Sequence, residues 1–385
     1  MLEFAIKILI GDRAKYIGII LGLTFASFIM TQQAAIFVGL MTRTFGFITD
    51  TSQPNIWVMN PRVQYIDDVK PLSDTELFRV RSIEGVQWAV PLYKGLIKAR
   101  LTDGNFQNCI LVGIDDGTLI GGPPVLLAGH LRDLRLTDGI IVDTAGASDK
   151  LAFTDKASGA KIPLRVGNTI ELNDNRAVVV GICKTSRTFQ SQPLIYTTYL
   201  RALRFSPPER KSLSFILAHS ANGLDPKEVC QRIRAITGLA AYTGPEFAKL
   251  TVSYFLKYTG IPINFGVAIV LGFVIGAAIA GQTFYNFTLD NLRYFGTFKA
   301  MGAQNKLLTQ MVFLQGVIVG TIGWGLGIGA TALFGFFSAD SELSFRLPWQ
   351  LVIGSYIAVM LICLFAACIS LYRVRKLEPA IVFKS

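Results

Sequence analysis

Residues 258–289 read YTGIPINFGVAIVLGFVIGAAIAGQTFYNFTL, and no Lys, Arg, Asp or Glu interrupts them. A helix needs about 20 apolar residues to cross a bilayer, so this segment reads as a membrane span. Three more stretches are equally free of charge: 16–42, 307–339 and 347–372. The first two spans are separated by the long insert 43–257, which carries 26 basic and 20 acidic residues. The chain as a whole is 51% hydrophobic and only 16% charged, well below the roughly 25% charge of soluble domains. A soluble enzyme is excluded. The fold class expected is a membrane α-helical protein with four transmembrane helices in a 1+3 arrangement and a large α+β domain outside.

Short loops set orientation, because long domains cross largely regardless of charge. Segments 1–15, 290–306 and 373–385 hold ten basic residues between them, from Lys7 to Lys384, whereas loop 340–346 holds one, Arg346. Both termini and the 290–306 loop are therefore expected in the cytoplasm. The net charge of +11 is largely this topology signal, and no nucleic-acid partner is needed to explain it. Tyr16–Leu40 is too long for the roughly 7–15-residue core of a signal peptide. Cys109, Cys183 and Cys230 form an odd set in the insert, so no disulfide framework is required.

Small residues recur at four-residue spacing in the spans: Gly18 and Gly22, then Gly272, Gly276 and Ala280, then Gly316 and Gly320. Close helix packing is the expected use of Gly272, Gly276, Gly316 and Gly320. Gly323, Gly325, Gly327 and Gly329 follow within the apolar third span with no preceding strand, so they are packing positions and not a dinucleotide loop. No span carries an ionisable acidic, basic or His residue, which disfavours a proton-coupled carrier. The larger polar exceptions are amides such as Asn264, Gln282, Asn286, Gln310 and Gln315.

In the insert, strands are expected at 55–59, 86–91, 95–101 and 109–114, then at 139–143, 213–218 and 239–242, with helices capped by Ser73 and running over 225–237. Residues 117–192 read as an inserted lobe, with a hairpin turning at Asn173-Asp174-Asn175. The β-α-β grammar on either side suggests a porter-like lobe of split ferredoxin character. Catalytic and metal constellations are missing: the two histidines, His130 and His219, read as surface or loop residues, and the acidic pairs 67–68 and 115–116 read as turns. No Gly-x-x-x-x-Gly-Lys-Ser/Thr loop is present, so this chain has no cofactor of its own and any ATP must be bound elsewhere.

The most specific run is the loop Asn291-Leu292-Arg293-Tyr294-Phe295-Gly296-Thr297-Phe298-Lys299-Ala300-Met301-Gly302-Ala303. Together with the 1+3 order it resembles the permeases of MacB/FtsX-type ABC transporters, whose loop reads roughly Arg-Glu-x-Gly-x-x-Lys-Ala-hydrophobic-Gly-Ala. Tyr294 stands where that pattern has an acidic residue. The start, 4–9, is similar to the family's amphipathic helix before the first span, and 376–381 to its tail. The Gly-Thr-x-Lys-Ala-hydrophobic-Gly form looks closest to the DevC-like branch.

The resemblance implies a domain order: a cytoplasmic amphipathic helix (1–15), a span (16–42), a periplasmic MacB-like domain (43–257) whose inserted lobe covers about 117–192, a span (258–289), a cytoplasmic coupling loop (290–306), two spans (307–339 and 347–372) and a cytoplasmic tail (373–385). It places the chain in a bacterial inner membrane as a non-catalytic subunit. Two copies would pair with a separate cytoplasmic ATPase, which would bind ATP and magnesium. Arg293, Tyr294, Phe295, Gly296, Phe298, Lys299, Met301 and Gly302 would form the ATPase coupling surface, with the aromatic side chains and Met301 on one face. A relay from ATPase to outer domain would serve export through a periplasmic adaptor and an outer-membrane duct. The alternative is an FtsX-like or lipoprotein-handling mechanotransmission complex.

Overall fold

The computed structural model describes residues 13–101, 104–154, 160–339 and 341–375. The chain divides into an outer unit, Met41–Thr259, and a membrane unit made of Met1–Leu40 and Gly260–Ser385. The expected helix at 1–15 lies mostly, and the tail motif at 376–381 entirely, outside the described residues.

Helix α1 (Arg13–Asp50) runs past the charge-free segment into the outer unit. There follow β1 (Ile56–Met59), α2 (Asp74–Arg81), β2 (Val86–Arg100), β3 (Phe106–Ile114), β4 (Val125–Ala128) and β5 (Gly139–Asp143). Next come β6 (Phe153–Thr154), β7 (Lys161–Ile162), β8 (Thr169–Leu172), β9 (Asn175–Lys184), β10 (Leu194–Thr198), α3 (Tyr199–Phe205), β11 (Phe215–Ser220), α4 (Pro226–Thr237), β12 (Ala240–Thr243) and α5 (Gly244–Tyr258). Ten strands form one sheet in the order β12-β1-β11-β2-β3-β10-β5-β9-β4, with β8 against β2 and β9. Residues 117–192 thus supply β4, β5, β8 and β9, which continue that sheet; β6 and β7 pair apart from it.

One long strand replaces two expected short ones. Strand β2 pairs with β11 through Leu92 and with β3 from Tyr93 onward. Pro91, with no N–H to give, therefore sits before the β3 ladder begins, on the side where no donor is needed. Between the two expected strands, Tyr93 and Lys94 are buried: 2% and 4% exposed. The Lys94 N–H goes to Ser214 Oγ at 2.9 Å, and its ammonium pairs with Asp67. The expected hairpin closes with Leu172 opposite Asn175. Its two central residues, Asn173 and Asp174, have φ of 45° and 62°, the backbone of a type I′ turn.

Two expectations are corrected here. Ser73 precedes α2, but its hydroxyl bonds Thr75 Oγ1 and caps no backbone N–H. His219 is no loop residue: it lies in β11, half-buried, with its ring 5.5 Å from that of Trp88. Asp225, by contrast, caps α4 by accepting the Lys227 N–H, and Gly238 ends that helix at φ 75°. One face of the sheet is closed by an aromatic cluster in which Trp57 meets Phe47, Phe215 and Phe247.

The membrane unit combines α1 with α6 (Ile261–Asp290), α7 (Leu292–Ala300), α8 (Asn305–Phe337) and α9 (Trp349–Arg375). Helices α1, α6, α8 and α9 are each long and apolar enough to cross a membrane. Glycine lets them approach. A methyl group built on Gly276 would stand 2.5 Å from Ala26 Cβ of α1, and one on Gly272 3.1 Å from Met30 Cγ. Gly320 meets Cys363 Sγ at 2.7 Å in the same sense, whereas Gly316 has only ordinary contacts, the nearest at 3.7 Å. Gly323 and Gly327 face Leu23 and Ser27 of α1, while Gly325 and Gly329 have open space. In the Gly-x-Gly-x-Gly run, then, the residues one turn apart do the packing.

Candidate functional site

The break between α6 and α7 is made by Asn291. Its side-chain amide donates to the Phe287 carbonyl at 2.8 Å, the same carbonyl that accepts its backbone N–H at 3.2 Å, so residue 291 closes the end of α6 with both groups. Its own carbonyl accepts from Tyr294 and Phe295, at 3.0 and 3.2 Å, and so starts the next helix. Beside this corner Asp290 pairs with Lys15 of α1.

Helix α7 is two and a half turns long and is held from one side. Phe295 is 1% exposed and packs with Leu308, Met311 and Val312 of α8 and with Ala367 and Leu371 of α9. Phe298 packs against the same cluster, and Gly296 is buried. Burying one phenylalanine contributes about 1.5–3 kcal/mol, enough to pin so short a helix to the bundle. The single aromatic face expected from the sequence is therefore corrected. Tyr294 and Met301 point outward, 58% and 70% exposed, whereas Phe295 and Phe298 point inward. The outward strip consists of Arg293, Tyr294, Thr297, Ala300 and Met301, at the three- and four-residue spacing that lines one side of a helix. Lys299 lies half-buried beside it.

The helix ends on Gly302, whose φ of 92° is left-handed. The Ala303 N–H reaches back to the Phe298 carbonyl at 2.9 Å and the Gly302 N–H to that of Lys299 at 3.1 Å, the paired bonds of a Schellman stop. Only glycine takes that backbone without strain, which gives the Met-Gly-Ala ending a structural cause. Among the described residues no group of His, Cys, Asp and Glu could hold a metal ion, and the strip offers one guanidinium, a phenol, a hydroxyl and a thioether.

Comparison with known proteins fits this architecture. The MacB-like periplasmic core domain family matches residues 17–236, and the FtsX-like permease C-terminal family matches 252–379. Uncharacterized ABC transporter permeases from two strains of Mycobacterium tuberculosis are 22% identical over 318 residues, covering 81% of this chain and 79% of each relative. Among solved structures, the periplasmic region of MacB from Actinobacillus actinomycetemcomitans aligns at 14% identity and a TM-score of 0.36, over 57% of this chain and 96% of that one. The extracellular domain of the ABC-type transporter YknZ from Gram-positive bacteria aligns at 15% and 0.32, over 49% and 98%. The two family matches carry the assignment, since the periplasmic core match alone spans more than half of the 385 residues: the chain belongs to the MacB/FtsX family of ABC transporter permeases, and with four membrane-crossing helices it is a multi-pass membrane protein.

Proposed function

We propose that this permease takes its drive from a separate ATPase at α7 and delivers it as movement of the outer unit. The observation that carries the reading is the two-sided build of α7, with Phe295 locked into the bundle and Tyr294 and Met301 left outside. A push on the outer strip would pass into α8 and α9 through the Phe295 cluster. Helix α1 is continuous from Arg13 to Asp50, so the first span and the opening residues of the outer unit belong to one helix. The site lies on the cytoplasmic side by loop charge, the chain works in a bacterial inner membrane as a pair of copies, and the output serves export with a periplasmic adaptor and an outer-membrane duct. Arg293, Lys299 and Gly302 belong to the coupling site as rim charges and helix stop. Phe295, Gly296 and Phe298 act in it as anchors and not as contacts.

The test separates contact from anchor. Replacing Tyr294→Ala together with Met301→Asp should cut co-purification of the ATPase and its permease-dependent rate by about tenfold, while the melting temperature of the permease stays unchanged, because both side chains are exposed. Undiminished binding and rate in that variant would remove α7 as the coupling element. The chains that co-purify with the native permease then sort the output: an adaptor fits export, whereas a cell-wall hydrolase or a lipoprotein carrier fits the FtsX-like alternative.

A further inference from the structure

A cleft of about 260 Å³ opens in the outer unit where β2 changes partner from β11 to β3. Its walls include Tyr65, Asp67, Lys94, Leu96, Phe189 and Phe255. The aromatic wall is preformed: the Phe255 ring lies 5.5 Å from Tyr65 and 4.8 Å from Phe189. Leu96 remains 47% exposed, an apolar side chain with room beside it.

One wall is a tightly tied loop. Thr188 Oγ1 accepts the Gln192 N–H at 2.9 Å and donates to the Gln192 carbonyl at 3.2 Å. Ser191, at its tip, has a φ of 52°, a conformation unfavourable for most side chains. Two cations hold it there: Arg43 donates to Ser191 Oγ at 3.2 Å, and Lys150 to the Ser191 carbonyl at 2.9 Å. The cleft is thus a built feature with positive charge behind its loop.

The ion pair at its base is asymmetric. Lys94 is 4% exposed, fixed in the middle of a strand, with its ammonium 5.5 Å from the centre of the Phe47 ring. Its partner Asp67 is 38% exposed and belongs to the loop after β1. A buried ammonium must keep a counter-charge, but a half-exposed carboxylate regains water easily when released. An incoming anion can therefore replace Asp67 on Lys94 at small cost, whereas an incoming cation cannot dislodge Lys94. The volume falls just under the roughly 300–1,000 Å³ of drug-sized sites, room for one ring and a short acidic arm.

We propose that this cleft binds arylalkyl carboxylates, with the carboxylate taking the place of Asp67 on Lys94 and the ring resting against Phe189 and Phe255. The site makes no use of the ATPase, so it stands or falls apart from the coupling role of α7.

The same chemistry occurs in free aromatic acids and in the C-terminal phenylalanine of a peptide. Two probes separate these sources: 3-phenylpropionate and N-acetylphenylalanine. Saturation-transfer NMR on the full-length permease in lipid nanodiscs, with empty nanodiscs subtracted, should detect 3-phenylpropionate. It should give at least a tenfold weaker response with the neutral isostere 3-phenylpropanamide. Preferential binding of N-acetylphenylalanine would assign the site to peptide ends. The decisive variant is Asp67→Asn, which leaves Lys94 without its internal competitor and should tighten the acid at least threefold; Lys94→Met should abolish it. If the pair were only a clamp for the loop, Asp67→Asn would leave the probes unbound. No signal above empty nanodiscs with either acid, equal binding of the amide, or unchanged or weaker binding in Asp67→Asn overturns the proposal.

Discussion

Asp143, the last residue of β5, is 8% exposed and accepts backbone N–H bonds from Leu194 at 2.7 Å and Gly146 at 3.1 Å. Burial raises its pKa above the usual carboxylate range, and the two N–H donors with Arg187 offset only part of that shift. The sign of the consequence follows from linkage. As pH rises from the ordinary carboxylate value to the raised one, the unfolded chain has already released the proton that the folded chain keeps. Stability contributed by this group is therefore lost with rising pH across that window. Thermal melts of the native protein and of Asp143→Asn between pH 3.5 and 7 should show the difference moving in favour of the variant as pH rises. A pH-independent difference would mean that Asp143 titrates as an ordinary surface acid. At this scale the sequence was only partly readable. Gly302 was named only through the family-like run, and its left-handed stop emerges from the backbone, whereas the inward turn of Phe295 and the pairing of Lys94 with Asp67 depend on elements distant in the chain, and no local spacing reports them.

Helix packing in the membrane unit turns on which glycines have a neighbour. Lipid tails are as apolar as leucine, so close backbone approach does the work that the hydrophobic effect does in water. Gly276 has Ala26 of α1 against it, and Gly325 has open space. Gly276→Leu should lower the melting temperature of the detergent-solubilised permease, at a cost of about 1–3 kcal/mol for an overpacked contact, while Gly325→Leu should melt with the native protein. Equal melting of the two variants would mean that the α1–α6 crossing is not glycine-dependent. Periodicity alone marked Gly276, Gly320 and Gly316 alike, yet Gly316 has no close neighbour, because a four-residue repeat fixes a helix face and not the helix that meets it. The β8–β9 hairpin was legible down to its turn, since Asn-Asp at positive φ is local chemistry. The 15 residues of β2 were not, because their continuity comes from two different partners taking over in succession.

Across the whole molecule, charge decides what composition leaves open. Ten basic residues in 1–15, 290–306 and 373–385 oppose one in 340–346, and such asymmetry fixes which side of a membrane the short loops take. The proposed relay depends on that orientation: α7 must face the compartment that holds ATP and the outer unit the opposite one. The cysteines permit a direct test. Cys109, Cys183, Cys230 and Cys363 are buried and Cys368 is exposed. Burial also holds the Cys230 thiol up to about 12 and raises Cys109 and Cys183 likewise, so these remain unreactive thiols near neutral pH. A Cys368→Ala background is therefore sufficient for site-directed labelling. In it, Ser148→Cys, exposed in the outer unit, should react with a membrane-impermeant maleimide on intact spheroplasts. Asn305→Cys, exposed at the start of α8, should react only after the membrane is opened. Labelling of position 305 in intact spheroplasts would place α7 on the same side as the outer unit, where no ATPase can reach it, and the four-span orientation and the relay would both be lost.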